Sequence, residues 1–183
     1  MVEVKETDRN AEERESDRML AIRGVGNATG GTPGDRVRKM IRSSSGQLKA
    51  RSNGVLPSVL VVFDRGDVVG HVEPYNIRVA MDGLEQFLIA VPPIGKGRPL
   101  AVGWKHGPKQ KMTPETNTSI SAVAALVMTG PVEHELLVYR NAFANVPLDP
   151  SLLQPFGVRH FDIDTSGTGS ASAWVEIANG HES

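Results

Sequence analysis

The chain opens on an alternation. Val2 and Val4 fall on one side of an extended backbone and Glu3 and Lys5 on the other, which predicts a strand over residues 1–6. The charged segment 10–18 reads as a helical turn or an exposed loop, and 19–23 is too short to assign. Five glycines between positions 24 and 34 predict a loop. Thr32-Pro33-Gly34-Asp35 then predicts a helix start, with Thr32 as N-cap, Pro33 at the first helical position and Asp35 at the positive end of the dipole. This helix runs to about Arg51. Val37, Met40, Ile41, Ser44 and Leu48 share its inner face at helical spacing, and Asn53-Gly54 ends it.

Residues 57–63 form the strongest predicted strand. Val59 to Phe63 is apolar at every position, so an inner strand covered on both faces is expected. Asp64-Arg65-Gly66-Asp67 is a turn. Pro74 opens a second amphipathic helix with Ile77, Ala80, Met81 and Leu84 as its apolar stripe. A short buried strand is expected at 87–91, stopped by Pro92-Pro93. A long polar region follows at 95–117 and suggests a hairpin with a mobile tip. Residues 119–128 and 135–139 read as two strands joined across Thr129-Gly130-Pro131, and a late strand is expected at 158–163. This order predicts an α/β protein with a mixed central β-sheet flanked by helices. The expected domain covers 1–164, with 165–183 as a flexible C-terminal tail.

The length of 183 residues suits one domain with a sizeable core, and 39% hydrophobic residues is globular composition. No apolar run approaches the ~20 residues of a spanning helix. MVEVKETDRN has no apolar signal core, so no membrane partner and a cytoplasmic location are expected. The chain has no cysteine, which excludes disulfides and thiolate metal sites. A net charge of -1 conceals patterning. Six Lys/Arg and no acid lie between Arg36 and Arg51, and a second basic stretch runs from Lys96 to Lys111. Such segments suit an anionic partner, or equally a solvated helix face and a polar loop.

Glu3 and Lys5 project from one strand face at the period of two. A carboxylate beside an ammonium is the pairing that metal-assisted phosphodiester hydrolysis uses: the acid holds Mg²⁺ through oxygen, and the lysine orients water or stabilises charge. An ordinary surface ion pair has the same spacing. Gln47 lies seven residues after Met40, within about 20° of the apolar face, so it can point towards Glu3 and Lys5 or be satisfied by backbone. Arg38, Arg42 and Lys49 cluster within about 40° and form a basic stripe able to follow a phosphate backbone. Lys105, His106, Lys109 and Lys111 add cations for phosphate contact. Gly24-Val25-Gly26-Asn27-Ala28-Thr29-Gly30 loosely resembles a dinucleotide-binding turn with Asp64 ending the next strand, but its spacing is G-x-G-x-x-x-G and a plain loop is favoured. His71, His106, His134, His160 and His181 are scattered without metal-ligand spacing. Asp162 and Asp164 alternate on a predicted edge.

A strand bearing E-x-K, a helix with a late Gln and then an apolar strand form a combination more specific than its parts. In Val2-Glu3-Val4-Lys5, in the helix ending Ser45-Gly46-Gln47-Leu48, and in the strand from Val59 to Asp64, the chain resembles the PD-(D/E)XK, or restriction-endonuclease-like, nuclease superfamily. Asn117-Thr118-Ser119-Ile120-Ser121-Ala122-Val123 and Tyr139-Arg140-Asn141-Ala142-Phe143-Ala144 are also similar to bacterial proteins with such cores. The resemblance implies a restriction-endonuclease-like core that hydrolyses DNA phosphodiesters with Mg²⁺. It makes Glu3 a metal ligand, Lys5 the water-positioning or charge-stabilising group and Gln47 a supporting contact. The family's first metal-binding acid lies upstream of E-x-K, whereas Glu3 is the third residue here. The expectation is therefore a truncated or inactive nuclease-like protein. The alternative is a non-catalytic binding or interaction protein on the same scaffold, with a protein partner or homo-oligomer left open.

Overall fold

Alternation at the start of the chain becomes β1 (Val2–Glu6), which pairs in parallel with β2 (Val59–Phe63). The computed structural model describes residues 1–7, 11–24, 32–63, 72–130, 133–163 and 174–177, without the side chains of residues 12, 13, 17, 101, 102 and 104. Between the two strands lie α1 (Ala11–Arg23), a single helix across the segment that seemed too short to assign, and α2 (Asp35–Ser52). Then follow α3 (Pro74–Asp82), β3 (Glu85–Ala90), β4 (Leu100–His106), β5 (Ala122–Met128), β6 (His134–Arg140), β7 (Arg159–Ile163) and β8 (Trp174–Ile177). Two 3₁₀ turns, Pro150–Leu152 and Gln154–Phe156, precede β7.

Among the described residues the strands make two sheets, a six-stranded one in the order β1-β2-β5-β6-β7-β8 and a two-stranded one of β3 and β4. The larger sheet is mixed: β1, β2 and β5 run parallel, β5-β6 and β7-β8 are antiparallel, and β6-β7 is parallel. This bears out the α/β class with a mixed sheet. β2 is paired on both sides, as its unbroken apolar run requires, and Leu60 and Val62 are fully buried.

Register sorts the two faces. Glu3, Leu60, Val123, Tyr139 and Phe161 are aligned across the sheet, as are Lys5, Val62, Ala125 and Leu137. These rows face α2 and α3, whose Val37, Met40, Ile41, Leu48, Ile77, Ala80 and Met81 complete the main core. The five positions read as the inner face of α2 are all buried. On the opposite face Val59, Ala122, Ala124 and Val138 pack with Leu148 and Val158 from the irregular chain after β6.

Three expectations are corrected. The cap of α2 is Gly34, not Thr32: Thr32-Pro33-Gly34-Asp35 closes a turn, with the Asp35 amide donating to the Thr32 carbonyl at 3.1 Å. Gly34 has φ 76, and its amide donates to Asn76 Oδ1 at 3.0 Å. A Cβ there would meet the Asn76 carbonyl at 2.7 Å, so close approach of α3 fixes the helix start at the glycine. The strand expected at 87–91 as a buried element is instead β3, paired only with β4 in the hairpin, with Phe87 and Ile89 exposed. Its proline stop was read correctly, but its partner is local and lies outside the main sheet. Finally, the sheet extends past residue 164, since Trp174–Ile177 pairs with β7 as β8. Residues 164–173 and 178–183 lie outside the described residues.

Candidate active site

β1 places Glu3 and Lys5 on the helix-covered face because it is held in register at both ends. The Met1 amine donates to the Pro57 carbonyl at 2.7 Å, and the Thr7 amide donates to the Phe63 carbonyl at 2.9 Å. Glu3 is 8% exposed. One carboxylate oxygen, Oε1, lies 3.1 Å from Lys5 Nζ, and the other, Oε2, is buried without a hydrogen-bond partner among the described residues. The Lys5 side chain keeps 32% of its surface, so the pair opens to solvent on the lysine side. A buried carboxylate oxygen without a donor is costly in isolation, and a cation relieves that cost. Thr7 Oγ1 and, on the inner face of α2, Ser44 Oγ are also buried without partners.

Among the described residues no group of three or more His, Asp or Glu side chains forms a metal cage. Mg²⁺ is held more often through water and substrate phosphate than by an all-protein cage, and Glu3 is the carboxylate of this face that would reach it, with the Lys5 ammonium competing for the same carboxylate. Asp64, directly after β2, lies outside the described residues, as do His71, Asp164 and His181. Gln47 is exposed, and no hydrogen bond joins it to Glu3 or Lys5. The reason lies in what covers α2. Near its start α3 packs alongside, and Val37, Arg38, Met40 and Ile41 are all buried. Beyond that, only Ser44, Leu48 and Ser52, spaced by four, remain covered. Gln47 is in phase with Met40 but sits on the narrower stretch.

The chain matches no protein-family model, no curated protein and no solved structure.

The basic stripe on α2 is divided by the same packing. Arg38 is 4% exposed. Its Nη1 pairs with Asp35 Oδ1 at 2.6 Å, its Nη2 donates to the Val79 carbonyl at 2.8 Å and its Nε donates to the Lys109 carbonyl at 3.1 Å. Arg38 is therefore a tie between α2, α3 and the segment after β4, and its donors are turned away from any phosphate. Arg42 and Lys49 are exposed. Lys49 borders an open cavity of about 270 Å³ at the end of α2, with Ser52, Asn53, Leu56, Ser119 and Asn145. Lys105 and Lys109 are exposed and Lys111 is half-buried, and Lys109 Nζ donates to Thr32 Oγ1 at 3.4 Å.

The segments 117–123 and 139–144 come together as a polar knot. Asn141 Nδ2 donates to the Ile120 carbonyl at 2.8 Å, the Ser121 hydroxyl accepts from the Ser58 amide at 2.8 Å, and Ser121 Oγ donates to the Val146 carbonyl. These residues fix the ends of β2, β5 and β6. His134 is exposed, and Asp162 pairs with Arg140 at 3.0 Å.

A second constellation went unread in the sequence. Asp82, at the end of α3, is 5% exposed and accepts from Trp174 Nε1 at 3.0 Å. Burial pushes its carboxyl up to about 7, eased by the Trp174 bond and the Arg78 charge and reinforced by Glu85. Burial also lowers His106, against the pull of Glu85, and raises Tyr139 to about 12. Tyr139 stacks on Phe161 at 5.1 Å and meets Trp174 edge-on at 5.3 Å. A carboxyl titrating near neutrality can hold or release a proton. No local pattern marks Asp82, because its partner lies 92 residues away. No described helix is long and apolar enough to cross a membrane.

Proposed function

We propose that this chain is a nuclease-like protein acting on DNA phosphodiesters with Mg²⁺, centred on Glu3 and Lys5. The observation that carries the reading is the buried, unpartnered Oε2 of Glu3 beside Lys5 on one strand face. Glu3 would hold the ion, and Lys5, partly open to solvent, would orient the attacking water or offset charge on the phosphate. When bound, Mg²⁺ supplies an activated water and charge neutralisation at phosphorus. Arg42, Lys49, Lys105, Lys109 and Lys111 provide cations for the DNA backbone. Arg38 and Gln47 have no part in this reading, the first because it is tied inside the fold and the second because it stands apart from the pair.

The test is plasmid nicking in Mg²⁺ or Mn²⁺ with the wild-type chain, Glu3→Gln and Lys5→Ala. Cutting that needs the metal and is lost in both variants supports the reading. Cutting that survives both places the chemistry elsewhere. That Glu3 is the one carboxylate at this pair among the described residues favours a second reading, a non-catalytic DNA-binding or interaction protein on this scaffold. DNA binding without nicking, at any divalent ion concentration tried, would favour it.

A further inference from the structure

The hairpin of β3 and β4 forms its own antiparallel sheet, separate from the six-stranded one, with a bulge between Leu88 and Ile89. A two-stranded ribbon alone is marginal in water and gains from something to lie against. Its outer half is uncovered: Ile89 is 55%, Val91 74%, Leu100 69% and Ile94 fully exposed. Pro92-Pro93 and Gly95-Lys96-Gly97 shape the tip, where the Lys96 amide donates to the Pro93 carbonyl at 2.9 Å and Gly95 and Gly97 have φ 81 and 125.

Charge bears on what such a ribbon could lie against. Between Glu85 and Glu115 there is no acid, while Lys96, Arg98, Lys105, Lys109 and Lys111 are all cationic. These cations are spread from tip to base. Arg98 and Lys105 alone stand about 23 Å apart along an extended strand. A lipid surface would be met at the tip only, whereas a linear polyanion lying along the ribbon can meet Lys96, Arg98 and Lys105 together.

We propose that the β3–β4 ribbon is an arm that lies along duplex DNA, with Lys96, Arg98 and Lys105 on phosphates and Ile94 as an apolar wedge at its tip. Two-stranded ribbons fit the DNA groove, and apolar side chains inserted at base steps are a known means of gripping a duplex. The inference rests on the nuclease-like reading only for its choice of DNA as the polyanion.

The experiment is fluorescence anisotropy of a labelled duplex of about 20 base pairs, titrated in EDTA from about 50 to 200 mM salt, the range over which phosphate contacts reveal themselves. The proteins are the wild-type chain, K96A/R98A/K105A and Ile94→Ser, each checked for an unchanged thermal melt. The triple variant should bind at least about tenfold more weakly at the lowest salt, with its log–log salt slope reduced by about 2 to 3. Ile94→Ser should bind more weakly with an unchanged slope. No wild-type binding, or equal binding by the triple variant, overturns the arm. So does partition onto phosphatidylserine vesicles without affinity for the duplex. Because EDTA removes divalent ions, a failed nicking assay with intact binding would sink the catalytic reading and leave the arm standing.

Discussion

Trp174 and Asp82 are joined by a hydrogen bond of 3.0 Å from the indole Nε1 to Oδ2, and this bond fastens β8 to the end of α3. Its acceptor is a carboxyl raised from 3.8 to about 7, chiefly by burial. In the folded state Asp82 keeps a proton that the unfolded chain releases, so between these values the native protein binds more protons. Its contribution to stability is full below about pH 4 and is lost as pH rises through about 7. Asp82→Asn retains the acceptor and removes the charge. The variant is expected to unfold at higher urea than wild type at pH 8, by up to roughly 4 kcal/mol, with the gap closing towards pH 5. A gap independent of pH would show that Asp82 does not titrate in this range.

His160 has the opposite sign. It is fully buried, aligned with Val138 and Ile177, and neither ring nitrogen has a partner among the described residues. Burial, followed by the Arg140 charge, lowers its pKa below 6.5. The unfolded chain therefore takes up a proton that the folded one refuses, and stability is lost as pH falls below about 6.5. His160→Leu removes two unsatisfied polar atoms and should stabilise by about 1 to 3 kcal/mol, more at pH 5 than at pH 8. Thermal melts at the two pH values decide it. Destabilisation at both would mean that the imidazole makes contacts worth more than its desolvation costs.

Arg38 holds three segments with one guanidinium: α2, which carries it, α3 through the Val79 carbonyl and the segment after β4 through the Lys109 carbonyl. Arg38→Ala leaves the buried Val79 carbonyl and the part-buried Lys109 carbonyl without their Arg38 donors and should cost about 3 kcal/mol or more in urea unfolding. Arg38→Lys should recover little, because a single ammonium cannot serve the fork. Arg42→Ala, one turn along and exposed, should stay within about 0.5 kcal/mol of wild type. Similar costs at the two positions would refute the tie.

Periodicity made much of this fold legible. The inner face of α2, the buried run of β2 and the β5–β6 hairpin all follow from local spacing, because a residue's phase decides which way it points within its own element. Phase says nothing about what arrives from elsewhere. Arg38 looked like part of a solvated stripe because its partners Val79 and Lys109 are 41 and 71 residues distant. Gln47 looked half-buried because its phase matches Met40, yet α3 covers only the first part of α2. β8 was lost in a small, polar tail because four residues carry little pattern of their own, and it is ordered by β7 and by the Asp82–Trp174 bond. Of the candidate site, the Glu3–Lys5 pair was legible from the period of two, whereas the buried state of Glu3 depends on the parallel alignment with Leu60.

That buried state links the lysine to the metal in a way that stability can read. In the wild-type chain Lys5 Nζ compensates one oxygen of Glu3 and leaves the other without a partner. Lys5→Ala removes the one ionic partner this buried carboxylate has among the described residues and should destabilise the fold by about 1 to 3 kcal/mol. If Glu3 is a metal ligand, millimolar Mg²⁺ should then stabilise Lys5→Ala more than wild type, since no ammonium competes for the site and binding to the native state raises its stability. Glu3→Gln should show no Mg²⁺ response with or without Lys5. Thermal melts of the four proteins with Mg²⁺ and with EDTA make the comparison. A Mg²⁺ response confined to proteins that keep Glu3, and larger when Lys5 is gone, supports Glu3 as the ligand. Melting temperatures that Mg²⁺ leaves unmoved in every protein would reduce Glu3 and Lys5 to an ion pair at the edge of a sheet.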